Sequence, residues 1–174
     1  MIDLYSDTTT RPGEGMRRAM YEAEVGDEQR GLDPTVLRLQ EEVAALLGKE
    51  AALFLPSTTM ANQIAIKLHT EPGDEIIADS LSHPVYAEAG GAGLISGALF
   101  HTIRTDRGIF GPEEVRAAIR PSLPIFTRTR MLWIENTHNM GGGSVWPLDT
   151  LLAAAKAGRD AGLALHLDGA RLMN

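Results

Sequence analysis

Residues 163–171 read Leu163-Ala164-Leu165-His166-Leu167-Asp168-Gly169-Ala170-Arg171, an apolar run that ends in a carboxylate, a glycine and a guanidinium. Strand alternation puts Leu163, Leu165 and Leu167 on one face and Ala164, His166 and Asp168 on the other. A strand this apolar is expected to be covered on both faces, as in the parallel sheet of an α/β protein. In such a sheet ligands gather at the C-terminal ends of strands, where Asp168 stands. A partly buried carboxylate needs a cationic partner. Arg171 is one candidate. The alternative pairs Asp168 with a protonated heterocycle and leaves Arg171 to fork onto a ligand carboxylate. Spacing alone is compatible with both.

The same pattern repeats upstream. Leu148, Leu151, Leu152 and Ala155 mark a helix stopped by Gly162. Met131–Ile134 is a strand ending in Glu135-Asn136-Thr137-His138-Asn139, followed by the glycine loop 141–143. Gly111-Pro112-Glu113-Glu114 starts a helix with acids at its positive end. Ala98–Ile103 reads as a strand, Tyr86–Leu94 as a glycine-loosened helix, and Glu75–Ala78 as a strand ending in Asp79-Ser80-Leu81-Ser82-His83. Met60, Ile64 and Leu68 mark a helix, and Ala51–Leu55 a buried strand before Pro56-Ser57-Thr58-Thr59. This alternation predicts an α/β fold with a mainly parallel sheet flanked by helices.

Upstream of residue 51 the pattern changes. Met16, Ala19, Met20 and Ala23 predict a short helix over 13–23. Asp33-Pro34 supplies an N-cap and a first-turn proline. The helix that follows carries Val36, Leu39, Val43, Leu46 and Leu47 on one face and ends near Gly48. The chain therefore divides into an N-terminal segment, 1–50, whose helices pack on a large domain, and the first part of that domain, 51–174.

Composition narrows the function classes. The chain is 44% hydrophobic and 22% charged, which suits a globular protein rather than a disordered one. A net charge of −7 with no lysine- or arginine-dense block argues against a nucleic-acid surface. With no cysteine there are no disulfides or thiolate metal sites, which fits a reducing compartment. No apolar run approaches the roughly 20 residues of a membrane span, and Met1–Asp7 lacks the pattern of a signal peptide. The expected location is cytoplasmic.

Four strand ends carry polar clusters: after Leu55, after Ala78, after Ile134 and at Asp168. A parallel sheet brings such ends to one edge. Ser57-Thr58-Thr59 offers hydroxyls and free N–H groups at a helix N-terminus, suited to a phosphate, although simple capping by Ser or Thr is the commoner use. His83 precedes Pro84 on the loop edge, and a lone loop histidine is usually only a surface residue. The five histidines form no His-x-x-x-His pair, and no metal site is read.

Together the pieces resemble the L-threonine aldolase family within the fold-type-I pyridoxal-phosphate (PLP) enzymes, the group that includes aromatic amino-acid β-eliminating lyases. The likeness runs through nearly the whole chain. It rests on Ser6-Asp7-Thr8 with Thr10-Arg11-Pro12, Glu24-Val25-Gly26-Asp27 with Asp33-Pro34-Thr35, and Lys49-Glu50-Ala51-Ala52-Leu53-Phe54. It continues in Pro56-Ser57, Thr59-Met60, Asn62-Gln63, Gly73-Asp74-Glu75, Ser82-His83, Arg128-Thr129, Glu135–Asn139 and His166–Arg171. It implies a PLP-dependent transferase-like large domain, present here in truncated form. The implied reaction cleaves the Cα–Cβ bond of threonine-type β-hydroxy-α-amino acids to glycine and an aldehyde.

The resemblance also implies roles. Ser57, Thr58 and Thr59 hold the cofactor phosphate. His83 stacks on the pyridine ring and is the candidate base for the β-hydroxyl proton. Asp168 keeps the ring nitrogen protonated, which makes PLP an effective electron sink. Arg171 belongs to the cofactor-binding set and, with Ser6, grips the substrate carboxylate. The implied assembly is a homodimer or homotetramer.

The sequence departs from the family pattern at several points. Thr58 and Ala61 stand where the family has glycines, Arg30 replaces the tyrosine of a Tyr-Gly-acid triplet, and Ile125 replaces a histidine associated with the substrate hydroxyl. Lys49, Lys67 and Lys156 all precede the Asp168–Arg171 strand, whereas the family's Schiff-base lysine follows it. The 174 residues are therefore expected to be the N-terminal part of a longer enzyme, inactive alone. Two alternatives stand beside the aldolase: a relative performing β-elimination or racemisation, and a non-catalytic remnant.

Overall fold

The computed structural model describes residues 2–3 and 5–172, so positions 1 and 4 of the N-terminal stretch lie outside it, as do 173 and 174. The chain forms two compact units, Met1–Phe54 and Leu55–Asn174.

In the first unit, Ser6 caps a 3-10 turn at Asp7–Thr9, its hydroxyl accepting the Thr8 N–H at 3.2 Å. Helices α1 (Glu14–Glu22) and α2 (Pro34–Leu47) follow. Asp33 caps α2 by accepting the N–H groups of Val36 and Thr35 on one oxygen and that of Gly26 on the other, all within 3.0 Å. The Val36 N–H, then that of Gly26, hold its carboxyl below the ordinary carboxylate range against some desolvation. Proline opens α2 and Gly48, at φ 60°, closes it.

Residues 51–55, read above as a buried strand, are not one. They are mostly exposed and pair with no strand, and Phe54 N–H bonds instead to the side-chain oxygen of Gln40 at 2.8 Å. An apolar run becomes a strand only where a neighbouring backbone completes its ladder. Every named ladder among the described residues lies between 75 and 168.

The second unit is built on four parallel strands: β1 (Glu75–Asp79), β2 (Leu99–Ile103), β3 (Thr129–Glu135) and β4 (Ala164–Asp168), in the order β2-β1-β3-β4. Helix α3 (Thr58–His69) leads into β1, and α4 (His83–Tyr86), a π-helical turn at Ala92–Ser96, α5 (Pro112–Ala118) and α6 (Leu148–Asp160) lie in the connections between strands. Alternation sorts the side chains as expected. Ile77, Leu132, Ile134 and Leu163 meet Val115 and Ala118 of α5 and the alanines of α6 on one face. Ile76, Ala78, Met131 and Trp133 meet Ile66 of α3 and Ala92 of the π turn on the other. Gly158 lets α6 approach closely, since a Cβ there would stand 2.8 Å from Leu165 and 2.9 Å from Leu132.

Two sequence readings on the α3 face change. The buried residues of α3 are Asn62, Gln63 and Ile66, whereas Met60 and Leu68 are exposed. The helix carries two competing faces, and the one turned inward brings amides to buried carboxylates. The helix expected over Tyr86–Leu94 is replaced by the short α4, a turn and the π turn. Ala89 and Gly90 adopt left-handed φ values of 51° and 72° there. A Cβ at Gly91 would lie 2.7 Å from the Gln63 carboxamide, so a side chain there would displace that amide.

At the N-terminal edge of the sheet, Arg128 makes a bidentate pair with Asp74 (2.9 and 3.0 Å). Arg120 and Thr127 bond Glu75. At the opposite end of β1, Asp79 is buried against His138. It accepts from Leu81 N–H and Thr105 Oγ1, each at 2.8 Å, and its Oδ1 lies 3.3 Å from His138 Nε2. Gly108 supports this cluster. Its φ is 77°, and a Cβ would lie 2.1 Å from His138 Cγ. Gly108→Ala combines overpacking with a strained backbone and is expected to cost roughly 2 kcal/mol or more, read as a lower denaturant midpoint.

Candidate active site

Three of the four polar strand ends meet. The fourth, after Leu55, is not a strand end, but α3 begins just beyond it and reaches the same place through Asn62. Asp168 ends β4 and is 4% exposed. One of its oxygens accepts the Asn62 Nδ2–H group at 2.9 Å and the other the Ala170 N–H at 3.1 Å. A turn closed by Leu172 N–H on the Gly169 carbonyl (2.9 Å) keeps the half-buried Arg171 near the strand end.

His83 opens α4. Its backbone N–H bonds Glu135 Oε2 at 2.7 Å, and the other Glu135 oxygen accepts Asn139 N–H at 2.9 Å. The end of β3 thus fixes the backbone that carries the histidine. The ring nitrogen Nδ1 lies 2.7 Å from Glu88 Oε1. Glu88 is buried and also accepts from Asn62 (2.7 Å) and Gln63 (2.6 Å). Both amides donate to this carboxylate, so Nδ1 carries the hydrogen toward it, and Nε2 is left for chemistry. The His83 side chain stays about one-third exposed.

Asn62 therefore links the two acidic groups. Its oxygen faces His166 Nε2 at 3.2 Å, and the His166 ring lies over Trp133 with centroids 4.1 Å apart. Burial depresses His166 below its ordinary value. Asp168 opposes this, His69 reinforces it and Glu88 opposes it, so the ring is neutral at pH 7.

Ser57 is the N-cap of α3, its Oγ accepting Met60 N–H at 3.1 Å. Thr58 and Thr59 occupy the exposed first turn of that helix, about one turn before Asn62. Ser6 lies in the first unit, in its capping contact with Thr8. Lys67 and Lys156 turn to the Ile95 carbonyl and to Asp160, and Lys49 follows α2. Asn62, Gln63, Glu88, Glu135 and His166 were not identified as site residues from sequence. The adjacent amides in α3 and the shared parity of His166 and Asp168 were the available signals.

The sequence matches the beta-eliminating lyase family over residues 3–174. The chain belongs to the beta-eliminating lyase family. It is 45% identical over 175 residues to the low specificity L-threonine aldolase of Escherichia coli strain K12, covering all of this chain and 52% of that protein. The Leishmania major threonine aldolase structure superposes with a TM-score of 0.75 at 25% identity, covering 90% of this chain and 45% of the other. Thermus thermophilus aspartate aminotransferase matches at a TM-score of 0.52 and 26% identity, over 64% of this chain and 27% of its own. The expected architecture, a parallel sheet flanked by helices in a fold-type-I large domain, is borne out. The chain spans about half the length of the curated relatives it matches.

Among the described residues, no group of three or more His, Cys, Asp or Glu side chains is arranged to hold a metal ion. No helix among them is long and apolar enough to cross a membrane.

Proposed function

We propose that the whole protein is a PLP-dependent lyase that cleaves the Cα–Cβ bond of L-threonine or L-allo-threonine-type β-hydroxy-α-amino acids, yielding glycine and an aldehyde. The observation that carries this reading is the His83–Glu88 pair, tied through Asn62 to Asp168 at one edge of a parallel sheet.

The residues present fit the cofactor. A buried carboxylate at the strand end suits a protonated ring nitrogen, and the first turn of α3 suits a phosphate. Asp168 would hold the nitrogen end, and Thr58, Thr59 and Ser57 the phosphate, the Ser57 hydroxyl accepting in the helix cap and keeping its own hydrogen to donate. When bound, PLP supplies an electron sink for the pair released from Cα. His83 would lie against the ring and take the β-hydroxyl proton on Nε2 while Glu88 steadies Nδ1. Arg171 would grip the substrate carboxylate. The assembly would be a homodimer or homotetramer in the cytoplasm.

The test is to incubate the full-length protein with PLP and threonine and to assay glycine and acetaldehyde. Release of ammonia and an α-keto acid instead would indicate β-elimination. His83→Phe, which keeps an aromatic surface but no exchangeable proton, is expected to lower kcat about a hundredfold with little change in cofactor affinity.

A further inference from the structure

We propose that Asn62 is a positioning residue whose single carboxamide couples the Asp168 carboxylate to the Glu88–His83 pair, with His166 fixing which way that carboxamide faces. The inference rests on the reading of Asp168 and His83 given above and adds the connection between them.

Asn62 is 1% exposed, and its nitrogen lies 2.7 Å from Glu88 Oε1 and 2.9 Å from Asp168 Oδ2. A carboxamide nitrogen has two hydrogens, so each carboxylate receives one. Two buried carboxylates set this close to one group repel each other unless a shared donor stands between them. Reversing the amide would present its oxygen to both carboxylates and leave them without that donor. The correct orientation requires a donor on the other side, and His166 Nε2 is there at 3.2 Å from Asn62 Oδ1. His166 is neutral, so its one ring hydrogen is assigned to Nε2, and stacking on Trp133 holds the ring in place.

The geometry links both ends of the site. The Glu88 oxygen that accepts from Asn62 is the oxygen that meets His83 Nδ1. A shift of Asp168 toward a bound ring nitrogen is therefore felt at His83 through one amide. Gln63 occupies the other Glu88 oxygen, which leaves Asn62 as the connection to Asp168.

The experiment uses 15N-labelled full-length protein. Long-range 1H–15N correlation spectra of the cofactor-free protein are expected to show His166 with its hydrogen on Nε2 and His83 with its hydrogen on Nδ1. Asn62→Asp keeps the shape but sets a third carboxylate against two. It still accepts from His166 Nε2–H but no longer donates to Glu88 and Asp168, so it should displace the His83 N–H resonance and weaken PLP binding roughly 10- to 100-fold, the loss expected for a hydrogen bond to a charged group. With threonine, kcat should fall by more than KM rises.

Asn62→Ser makes the same test without the added charge. His166→Phe keeps a ring against Trp133 but removes the donor to Asn62, and should displace the His83 resonance in the same direction. A His166 hydrogen on Nδ1 in the unmodified protein overturns the proposal. So does an unchanged His83 resonance with PLP affinity within about twofold in Asn62→Ser or His166→Phe. If both Asn62 variants fail to fold, the unmodified spectrum and His166→Phe decide. A protein that binds PLP but releases no glycine from threonine sinks the aldolase reading alone, and the histidine spectra still decide the coupling.

Discussion

Asp168→Asn in the full-length protein is expected to reduce kcat with threonine roughly a thousandfold, the upper end of what one preorganised electrostatic group supplies. The substitution preserves shape and removes the charge that would keep a bound ring nitrogen protonated. It also disturbs the local bonding in a defined way. Both Asp168 oxygens already accept, one from Asn62 and one from Ala170 N–H. An amide in that place must turn its NH2 toward one of these donors, leaving a donor–donor contact in a buried site. PLP affinity should therefore fall together with kcat, and fold stability should drop by about 1–2 kcal/mol. Equilibrium cofactor binding and steady-state kinetics on the same preparation separate the two effects. Wild-type turnover with bound PLP would refute the assignment of Asp168 to the ring nitrogen.

Asp79→Ala is expected to have the largest effect on stability, about 3 kcal/mol, because it removes one partner of a buried charged cluster. Leu81 N–H, Thr105 Oγ1 and His138 would all lose their acceptor or counter-charge. Burial acts against the charged form of Asp79 and is the largest single influence. The nearby His138 ring, the Leu81 N–H and the Thr105 hydroxyl together outweigh it, and the carboxyl titrates below its ordinary value. A depressed carboxyl contributes stability above its unfolded value, near pH 4, and loses it as pH falls through the lower folded value. The unmodified protein should therefore lose stability on acidification, and Asp79→Asn should lack that part of the loss. Denaturation midpoints measured from pH 7 to pH 3 test this.

His138 sits between opposing demands. Burial is the largest influence and pushes its pKa down, while Asp79 and Glu135 raise it overall. Yet Nδ1 accepts the Gly141 N–H at 3.0 Å, a bond that a second ring proton would break. Nε2 lies close to Asp79 but makes no well-aligned hydrogen bond. The acid dependence is therefore argued from Asp79 alone.

Strand positions were legible in the sequence because apolar runs bounded by turn residues carry their own signal. β1, β2, β3 and β4 all lie within a residue or two of their expected limits. Their parity was equally legible, and it correctly put Asp168 and His166 on one face. The run at 51–55 failed because an apolar pentapeptide says nothing about whether a ladder partner exists. Met60, Ile64 and Leu68 misled because an amphipathic pattern favours the oilier stripe, whereas α3 buries the stripe whose amides meet Glu88 and Asp168.

By itself the sequence determined an α/β fold, a carboxylate at the end of the closing strand and a histidine after β1, since each follows from local pattern and alternation. Only the tertiary structure decided what those groups bond to. Glu88 and Asn62 are 26 residues apart, and Asn62 and Asp168 are 106 apart. Hydrogen bonds across such separations depend on how α3 and the turn after α4 pack on the sheet. No spacing rule along the chain encodes that packing.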